Sequence, residues 1–390
     1  MKGLSKLLIF LLIVLLGCAK GQVVSLCSDD KASLVINAKH AALIDYYSGE
    51  LLYGKAEHER VPPASMVKLV LLYVVLDEIR SGRFDLETEV PIDRKADWKN
   101  QPKRSSLMFL EEDDIVTVRE LLLGLLIPSG NDAAVALAAF VARDELSGID
   151  MMNNVAKKLS LHDTVIVEPS GYSSENKTTA NEFAQFALAL WKQFPLEVEE
   201  FCSTINFSYP HTKNMPPSRT TQLYPKEDKN HNELLGRYDG VVGLKTGYID
   251  QSGANVALAF SKDGTKFIAV MMGGPGSSSS ERSLLRAIDG ATLLTWAQNN
   301  YKALQFRGPL DLTITEKKSK VVYSVYSIAS EHKTFPIKEI ANMRMSYKIR
   351  PFFTKHVSAL PIKVGRWKVH HKKQVIASGN LFVDTNEGTN

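Results

Sequence analysis

The sequence predicts an α+β fold, in which an antiparallel sheet flanked by helices precedes a small C-terminal all-β sandwich domain. Two observations lead to this class. Between Ala32 and Gln298, strand-like segments stand at both ends and helical segments stand between them. That order is typical of one antiparallel sheet with a helical insertion. From Leu310 onward, short alternating runs are separated by polar turns, and this pattern predicts a small sandwich.

The first elements lie on either side of a pair of prolines. Alternation from Ala32 to Tyr53, interrupted at Ser48-Gly49, predicts a hairpin. After Pro62-Pro63, the nearly continuous apolar run from Ser65 to Arg80 ends at Gly82 and predicts a buried helix. The other elements predicted in this part are helices over Val118–Ile127, Asp132–Ala142 and Ser283–Gln298, and strands over Gly240–Gly247, Ala254–Ser261 and Lys266–Met272.

The two parts of the chain differ in charge. The segment from Leu304 to Asn390 holds 15 Lys and Arg against 6 Asp and Glu, whereas the preceding residues hold 32 against 37. A basic C-terminal part that follows a slightly acidic N-terminal part indicates two structural units in different surroundings. We place these two units at residues 30–302 and 304–384. The whole chain carries a net charge of only +4, so we expect no nucleic-acid partner. Strands in the tail are predicted over Val321–Tyr326, Leu360–Val369 and Gln374–Val383.

The N-terminus predicts an export signal over residues 1–17. Lys2 and Lys6 provide a positive start, and Leu7 to Leu16 is an unbroken apolar run. Ten apolar residues are too few for a permanent membrane-spanning helix, so a cleaved signal peptide fits better. We therefore expect an exported protein of the periplasm or cell envelope.

The end of this signal resembles a bacterial lipobox, in which the cysteine is acylated after cleavage. Leu15-Leu16-Gly17-Cys18 carries the resemblance, although Leu16 stands where a small or β-branched residue is more usual. A lipid on Cys18 would tether the protein to a membrane, and an ordinary signal with a bystander cysteine is the alternative. The polar residues 384–390 offer no amphipathic helix, so we expect the tether at the N-terminus.

Besides Cys18, the chain has only Cys27 and Cys202. Two cysteines do not make a disulfide framework, although they could pair in an oxidising compartment. We expect separate thiols, with a Cys27–Cys202 bond as the alternative.

The first candidate for chemistry is the pair Ser65 and Lys68 at the start of the predicted apolar helix. Their i,i+3 spacing puts both side chains on one face, and the helix N-terminus favours developing negative charge. A serine hydroxyl needs a neighbouring base, and a desolvated lysine with a lowered pKa can serve as one. Alone, the pattern is weak, because a helix cap next to a snorkelling lysine would give the same residues.

Two further elements make the pattern specific. Ser129-Gly130-Asn131 stands in a turn between helices, where a hydroxyl can relay a proton and an amide can hold a substrate carbonyl. Lys245-Thr246-Gly247 ends an apolar strand, where a cation and a hydroxyl can bind a carboxylate and Gly247 allows close approach. Separately, each element could be a helix cap or a strand end. Together and in this order, the three are typical of β-lactamases and penicillin-binding proteins.

The chain resembles the D-alanyl-D-alanine carboxypeptidase family of low-molecular-mass, serine-type penicillin-binding proteins. The likeness covers roughly Ala32 to Trp296 and, more loosely, the β-rich tail. The segments that carry it are Asp45–Leu52, Pro63–Lys68, Ser106–Leu110, Leu126–Ala133 and Asp239–Tyr248. The resemblance implies a β-lactamase/penicillin-binding-protein-like fold, removal of the terminal D-Ala from peptidoglycan stem peptides that end in D-Ala-D-Ala, and covalent inhibition by β-lactams. It implies no metal or organic cofactor.

The resemblance also implies roles for individual residues. Ser65 forms the acyl-enzyme and Lys68 is its general base, while Ser129 and Asn131 assist proton transfer and substrate placement. A second group binds the substrate: Lys245 and Thr246 hold the terminal carboxylate, Gly247 allows its approach, and the backbone N–H groups of Ser65 and Tyr248 form the oxyanion hole. Arg286 is a candidate for further help with the carboxylate, and His231 is interpreted as a surface-loop residue.

Two alternative functions are weighed against this one. A class A-like β-lactamase shares all three elements and needs a glutamate to activate water. Glu168-Pro169 is a candidate, but the Leu-Asn that follows that glutamate in β-lactamases is absent. The middle element is also Ser-Gly-Asn rather than Ser-Asp-Asn. The second alternative, a non-catalytic cell-wall-binding surface protein, would have no use for a nucleophile–base pair.

Overall fold

The computed structural model describes residues 34–219, 226–308, 312–315, 322–349 and 361–383. The predicted signal, Cys18 and Cys27 lie outside the described residues. The fold given below belongs to one compact unit that begins at Ile36.

The described helices, in chain order, are α1 Lys68–Arg80, α2 Val118–Leu126, α3 Asn131–Ala142, α4 Glu145–Lys158, α5 Ala180–Gln193, α6 Pro195–Ser203, α7 Ser279–Asn300 and the single turn α8 Ile337–Ile340. Short 3₁₀ turns cover Ala64–Val67, Trp98–Asn100 and Thr212–Asn214.

The described strands are β1 His40–Asp45, β2 Leu51–Lys55, β3 Glu89–Pro91, β4 Ile115–Thr117, β5 Asn206–Tyr209, β6 Lys226–Lys229, β7 Val241–Ile249, β8 Gly253–Lys262, β9 Thr265–Gly274, β10 Tyr301–Gln305, β11 Thr313–Thr315, β12 Val322–Ser327, β13 His332–Pro336, β14 Arg344–Ile349, β15 Ile362–His371 and β16 Gln374–Val383.

The main sheet has five antiparallel strands in the order β2-β1-β9-β8-β7. The hairpin β1-β2 therefore joins the sheet through β1, which pairs with β9, the last of the three strands β7, β8 and β9. Ala42 lies opposite Val270 in this pairing. Strand β7 is left at one edge of the sheet. This arrangement confirms the predicted antiparallel sheet and places Lys245-Thr246-Gly247 on an edge strand.

Helices cover both faces of this sheet. Because side chains alternate across a strand, Ala257 and Ala259 point to one face and join the large core formed with α1, α2, α3 and α5. Leu258 points to the other face, where its side chain and that of Met271 pack near Gly290 of α7. The sheet is therefore a buried middle layer, as the apolar runs of its strands require.

Local signals explain where several helices begin. Thr117 and Glu120 form a reciprocal capping box at the start of α2, and the Thr179 side chain accepts from the Glu182 N–H at the start of α5. Such caps satisfy backbone donors that have no partner within the helix. The analysis of the sequence predicted α2 and α3 but missed α4, α5 and α6, even though the Thr179-x-x-Glu182 pattern was available.

The described residues of the C-terminal part are all-β apart from one helical turn, as predicted. Its described strands form a five-stranded antiparallel sheet, β11-β12-β16-β15-β14, and a two-stranded ribbon, β10-β13. One face of the larger sheet buries a separate core centred on Trp367 and Leu381. Among the described residues, no helix combines the length and the apolar character needed to cross a membrane.

Candidate active site

Ser65 and Lys68 meet where the chain enters the longest buried helix. Pro63 precedes a 3₁₀ turn that carries Ser65, and α1 begins at Lys68. The Lys68 Nζ donates to the Ser65 Oγ at 3.1 Å. The predicted helix therefore exists, but its first turn is 3₁₀ rather than α-helical, and the two side chains are within hydrogen-bond distance.

The Lys68 amine lies in a closed polar pocket. The residue is fully buried, and its Nζ donates to the Asn131 Oδ1 at 2.8 Å and to the Ser170 carbonyl at 2.5 Å. Burial lowers the pKa of Lys68 to about 7, although the negative charges of Glu168 and Asp132 oppose this. A large fraction of the amine is therefore neutral near neutral pH and is able to accept a proton.

The Ser129–Asn131 turn forms a second wall. Ser129 has a positive φ of 63° and is buried, and its Oγ makes no hydrogen bond within the described residues. Asn131 begins α3, and its Nδ2 donates to the Ser105 Oγ at 3.1 Å. A strained backbone and an unpaired buried hydroxyl are features that collect at functional sites.

Asp132 fixes this wall in place, although the sequence analysis gave it no role. Its carboxylate is fully buried and accepts from the backbone N–H groups of Met108, Phe109 and Leu110 at 2.9, 2.7 and 3.1 Å. Burial raises the pKa of Asp132, and the backbone donors oppose that change. The contacts hold the segment that contains Ser105 and Ser106 against the start of α3.

A loop formed by residues 168–176 closes the third side. The Glu168 Oε2 accepts from the Ser170 N–H at 2.8 Å and from its hydroxyl at 2.6 Å. Its Oε1 accepts from the Asn176 Nδ2 at 2.8 Å and from the Ser173 N–H at 3.1 Å. Glu168 thus organises the loop that presents the Ser170 carbonyl to Lys68, a role that the sequence analysis did not predict.

Strand β7 brings the third motif to the same place. Lys245 is almost completely buried, and its pKa lies well below its usual value because of burial and the nearby charges of Lys68 and Arg286. Thr246 is also buried. A β-carbon at Gly247 would lie 2.9 Å from the backbone nitrogen of Ser65, so only glycine lets this strand approach the serine so closely.

These elements border an open cleft of about 350 Å³. Four cationic residues line it, Arg104, Lys229, Arg282 and Arg286, against one carboxylate, that of Glu233. The other lining residues are Ser65, Ser106, Ser129, Asn230, His231, Thr246, Gly247, Tyr248, Ser279 and Ser283. The excess of positive charge fits an anionic ligand.

Arg286 reaches the cleft from α7, as the sequence suggested. Its guanidinium donates to the His231 carbonyl at 2.9 Å, and burial lowers its pKa to about 10, so it remains charged at neutral pH. Arg282, which the sequence analysis missed, lies with its guanidinium carbon 3.8 Å from the centre of the Tyr248 ring. The two arginines are one helical turn apart, and the i,i+4 spacing was the signal that could have revealed the second.

Of the predicted site residues, the cleft is lined by Ser65, Ser129, Thr246, Gly247, Tyr248 and Arg286. Lys68 and Asn131 lie behind Ser65, joined to it and to each other by hydrogen bonds of Lys68, and Lys245 is buried on β7. Cys18 lies outside the described residues. Cys202 is free and buried near Gly243 of β7. Burial raises its pKa to about 12, so its thiol is unreactive at neutral pH. Within the described ranges, no group of three or more His, Cys, Asp or Glu side chains is placed to hold a metal ion.

The fold and the three motifs are those of the penicillin-binding-protein class. Comparison with known proteins agrees. A model of the Peptidase S11 family, described as D-alanyl-D-alanine carboxypeptidase, matches residues 28–276. The chain therefore belongs to this family.

Individual relatives show how far the likeness extends. The D-alanyl-D-alanine carboxypeptidase DacD of Escherichia coli is 35% identical over 275 residues, which cover 69% of this chain but only 65% of that relative. DacC of the same organism is 28% identical over 339 residues, or 85% of this chain and 78% of the relative. The crystal structure of penicillin binding protein 6B from Escherichia coli has a TM-score of 0.66 at 27% identity and covers 89% of this chain and 95% of that one.

Proposed function

We propose that the protein is a serine-type D-alanyl-D-alanine carboxypeptidase that removes the terminal D-Ala from peptidoglycan stem pentapeptides. The observation that carries the proposal is the pairing of a fully buried amine, the Lys68 Nζ, with the Ser65 hydroxyl at 3.1 Å. A binding module would gain nothing from burying a lysine next to a serine, because desolvating an ammonium group costs stability. A nucleophile needs such a base.

Acylation would begin with attack of the Ser65 Oγ on the carbonyl carbon of the penultimate D-Ala. Lys68 takes the hydroxyl proton, and the backbone N–H groups of Ser65 and Tyr248 stabilise the oxyanion. The C–N bond breaks as a proton passes to the leaving amine, with Ser129 as the relay. D-Ala departs and an ester on Ser65 remains.

Deacylation would return the enzyme to its starting state. Water attacks the ester carbonyl while Lys68 accepts one of its protons, and the Ser65 oxygen leaves and recovers that proton. The products are the shortened peptide with a new carboxylate and the free hydroxyl. Both half-reactions use the same base, which agrees with the single buried amine in contact with Ser65.

The terminal carboxylate of the substrate would bind at β7 and α7. Lys245 and Arg286 provide positive charge, Thr246 provides a hydroxyl, and Gly247 leaves room for the peptide backbone. Burial and the charge of Arg286 lower the pKa of Lys245, so an anion bound beside these residues would stabilise the charged form of Lys245. The cationic lining of the cleft therefore supports a substrate that ends in a free carboxylate.

β-Lactams would acylate Ser65 because their strained amide occupies the place of the scissile bond. A labelled penicillin should therefore attach to the wild-type protein, and peptide mapping should locate the adduct on the fragment that contains Ser65. Ser65→Ala should abolish labelling, and Lys68→Ala should slow it by about 10²–10⁴-fold, as is typical of a lost general base. Labelling that persists in Ser65→Ala would exclude this assignment.

The alternative of a class A-like β-lactamase depends on Glu168. All the hydrogen bonds described for its two carboxylate oxygens come from its own loop, and this is the arrangement of an organising residue rather than of a base poised over the acyl-enzyme. We therefore propose slow turnover of β-lactams. Rapid penicillin hydrolysis by the wild-type protein would favour the β-lactamase instead.

The two-part organisation and the location of the protein are also proposals. We assign catalysis to residues 30–302 and a separate β-domain to residues 304–384, although β10 spans this boundary and pairs with β13.

The protein is exported to the periplasm or cell envelope and is tethered through a lipid on Cys18. Wild type should partition into detergent, and Cys18→Ser should remain in the aqueous phase. Equal partitioning of the two would exclude the lipid.

A further inference from the structure

The outer face of the C-terminal sheet carries several Lys and Arg side chains, and two of them lie directly opposite each other. In the register of β14 with β15, Lys348 lies opposite Arg366, and Arg344 lies opposite His370. Lys368 lies opposite Ser346, between these two pairs. Like charges directly opposite each other on a sheet are destabilising, so the Lys348–Arg366 pair costs stability that no described ion pair offsets.

These side chains point to solvent. Along β15, Arg366 and Lys368 are exposed, whereas Val364, Trp367 and Val369 are buried in the domain core. The alternation of strand side chains therefore directs the cations to the face away from the core.

The charges on this face are not neutralised within the described residues. None of Arg344, Lys348, Lys363, Arg366 and Lys368, which we call the cationic face, pairs with a described carboxylate. In this part of the chain, the described Lys–Glu ion pair joins Glu339 to Lys372 instead. Lys348, Lys363 and Arg366 also converge on a cavity of about 280 Å³.

An aromatic pair adjoins the cationic face. Phe382 lies opposite Lys363 on one side and opposite Tyr326 on the other, so the three side chains share one face of the sheet. The rings of Tyr326 and Phe382 have centroids 5.9 Å apart, and Tyr326 is 41% exposed. Aromatic rings next to Lys and Arg are typical of surfaces that sit at the lipid–water interface.

We propose that the cationic face, with Tyr326 and Phe382 beside it, docks on the surface of an anionic phospholipid bilayer. Headgroup phosphates would neutralise the opposed cations, and the aromatic rings would enter the interfacial layer. The broad face of a sheet suits a planar partner. A dissolved polyanion would satisfy the cations but would leave the aromatic pair without a role, so the bilayer is favoured.

The test uses the chain without the predicted signal of residues 1–17 and with Cys18→Ser in every sample, so that neither the apolar run nor a lipid on Cys18 can contribute. Co-sedimentation is measured with vesicles of phosphatidylcholine alone and with vesicles that also contain phosphatidylglycerol. The test variant is Arg366→Glu with Lys368→Glu. The control, Lys157→Glu with Lys302→Glu, makes the same change in net charge at two exposed positions outside the face. A third variant is Tyr326→Ser, and soluble polyphosphate provides the comparison ligand.

We expect the protein with an intact cationic face and the control variant to bind only the anionic vesicles, and high salt to release them. The Arg366→Glu/Lys368→Glu variant should lose at least about 25-fold in partitioning, since each Lys or Arg near an anionic surface contributes about fivefold. Tyr326→Ser should bind vesicles several-fold more weakly, with its binding to polyphosphate unchanged. Thermal unfolding checks the fold, and Arg366→Gln/Lys368→Gln replaces the reversal if that variant does not fold.

Equal binding by the test and control variants would overturn the proposal, because net charge alone would then account for attraction. A second outcome would also overturn it. If Tyr326→Ser binds vesicles as tightly as the protein with Tyr326 does, and the charge-reversed variant loses polyphosphate binding, the face would be assigned to a dissolved polyanion. Neither readout depends on catalysis, so failure here would leave the proposed carboxypeptidase activity untouched.

Discussion

Lys68 shows how burial can make an ordinary lysine amine able to accept a proton near neutral pH. In water, a lysine amine is protonated at neutral pH and cannot accept a proton. In this protein the residue is fully buried, and burial lowers its pKa to about 7. The hydrogen bonds to Asn131 and Ser170 hold the nitrogen next to the Ser65 hydroxyl, so position and protonation state are set by the same pocket.

This pKa predicts the pH dependence of the reaction. The active form of Lys68 is the neutral amine, so kcat/KM for a D-Ala-D-Ala peptide should rise with pH through about 7 and then level off, as the proton leaves the amine. The measurement is a pH profile of kcat/KM under conditions that keep the fold intact. If kcat/KM stays constant between pH 5 and 9, a range that spans the pKa of Lys68, Lys68 is not the general base.

Glu168 should influence this profile without taking part in the chemistry. Its negative charge raises the pKa of Lys68, so Glu168→Gln should move the acidic limb to lower pH. Glu175→Gln is the matched control, because Glu175 is exposed in the same loop. An unchanged limb in Glu168→Gln would show that the carboxylate does not act on Lys68, and accumulation of a penicilloyl-enzyme would identify Glu168 as a deacylation base.

Sequence reasoning identified the side chains to which we assign the chemistry, but not the groups that hold them in place. Ser65, Lys68 and Lys245 were identified because their motifs have fixed local spacing. The Ser170 carbonyl could not be identified in this way, since every residue has a carbonyl and only the folded loop brings this one within 2.5 Å of Lys68. Asp132 escaped notice for a similar reason, because its partners are backbone N–H groups of a distant segment.

At the scale of elements, the site depends on a loop packed against a turn. Gly171 has a positive φ of 81°, and a β-carbon there would lie 2.1 Å from the Ala64 carbonyl oxygen. The loop of residues 168–176 therefore rests directly on the backbone next to Ser65. This close contact gives an irregular segment a fixed position from which the Ser170 carbonyl reaches Lys68.

The contact predicts a difference between two glycine substitutions. Gly171→Ala and Gly82→Ala both place alanine at a φ near +80°, so both should lose about 1–2 kcal/mol of stability from backbone strain. A β-carbon at Gly82 meets nothing within 4 Å, so only Gly171→Ala should also displace the loop. The rate of penicillin acylation should fall by at least about tenfold in Gly171→Ala and stay near wild type in Gly82→Ala. Equal acylation rates would mean that the loop does not position the site.

The elements themselves were predicted unevenly, and the reason is their composition. Apolar runs closed by Pro or Gly, such as α1 and β7, were located within a few residues. Helix α4 was missed because Gly148 and two adjacent asparagines, Asn153 and Asn154, weaken the helical signal. The ribbons β3-β4 and β5-β6 were missed because strands of three or four residues carry too little alternation to be recognised.

At the scale of the whole molecule, the C-terminal strands are joined to the catalytic sheet by specific contacts. The Ala303 N–H donates to the Thr265 Oγ1 at 3.1 Å, and the Thr334 hydroxyl donates to Asp45. The His332 ring stacks on Tyr47 with centroids 5.0 Å apart. The sequence predicted two units from charge and pattern, but contacts between residues so far apart in the chain could not be anticipated from local signals.

The pairing of the C-terminal strands shows where the basic residues of this part of the chain lie. Composition alone showed an excess of Lys and Arg, which could equally be spread over a solvated surface. The pairing of β14 with β15 collects the cations on one face, and a sheet register cannot be derived from a charge count. Attraction to an anionic surface would then act alongside an N-terminal lipid, and two such signals are what stable membrane association requires.

The most direct measurement of the central claim is mass spectrometry of a stem pentapeptide ending in D-Ala-D-Ala after incubation with the purified protein. We predict loss of one alanine from the C-terminus, and we predict no loss with Ser65→Ala. The same peptide with an amidated C-terminus should be cleaved far more slowly, because Lys245 and Arg286 would lose the charge they bind. An intact pentapeptide after incubation with folded wild-type protein, or equal cleavage by Ser65→Ala, would contradict the account.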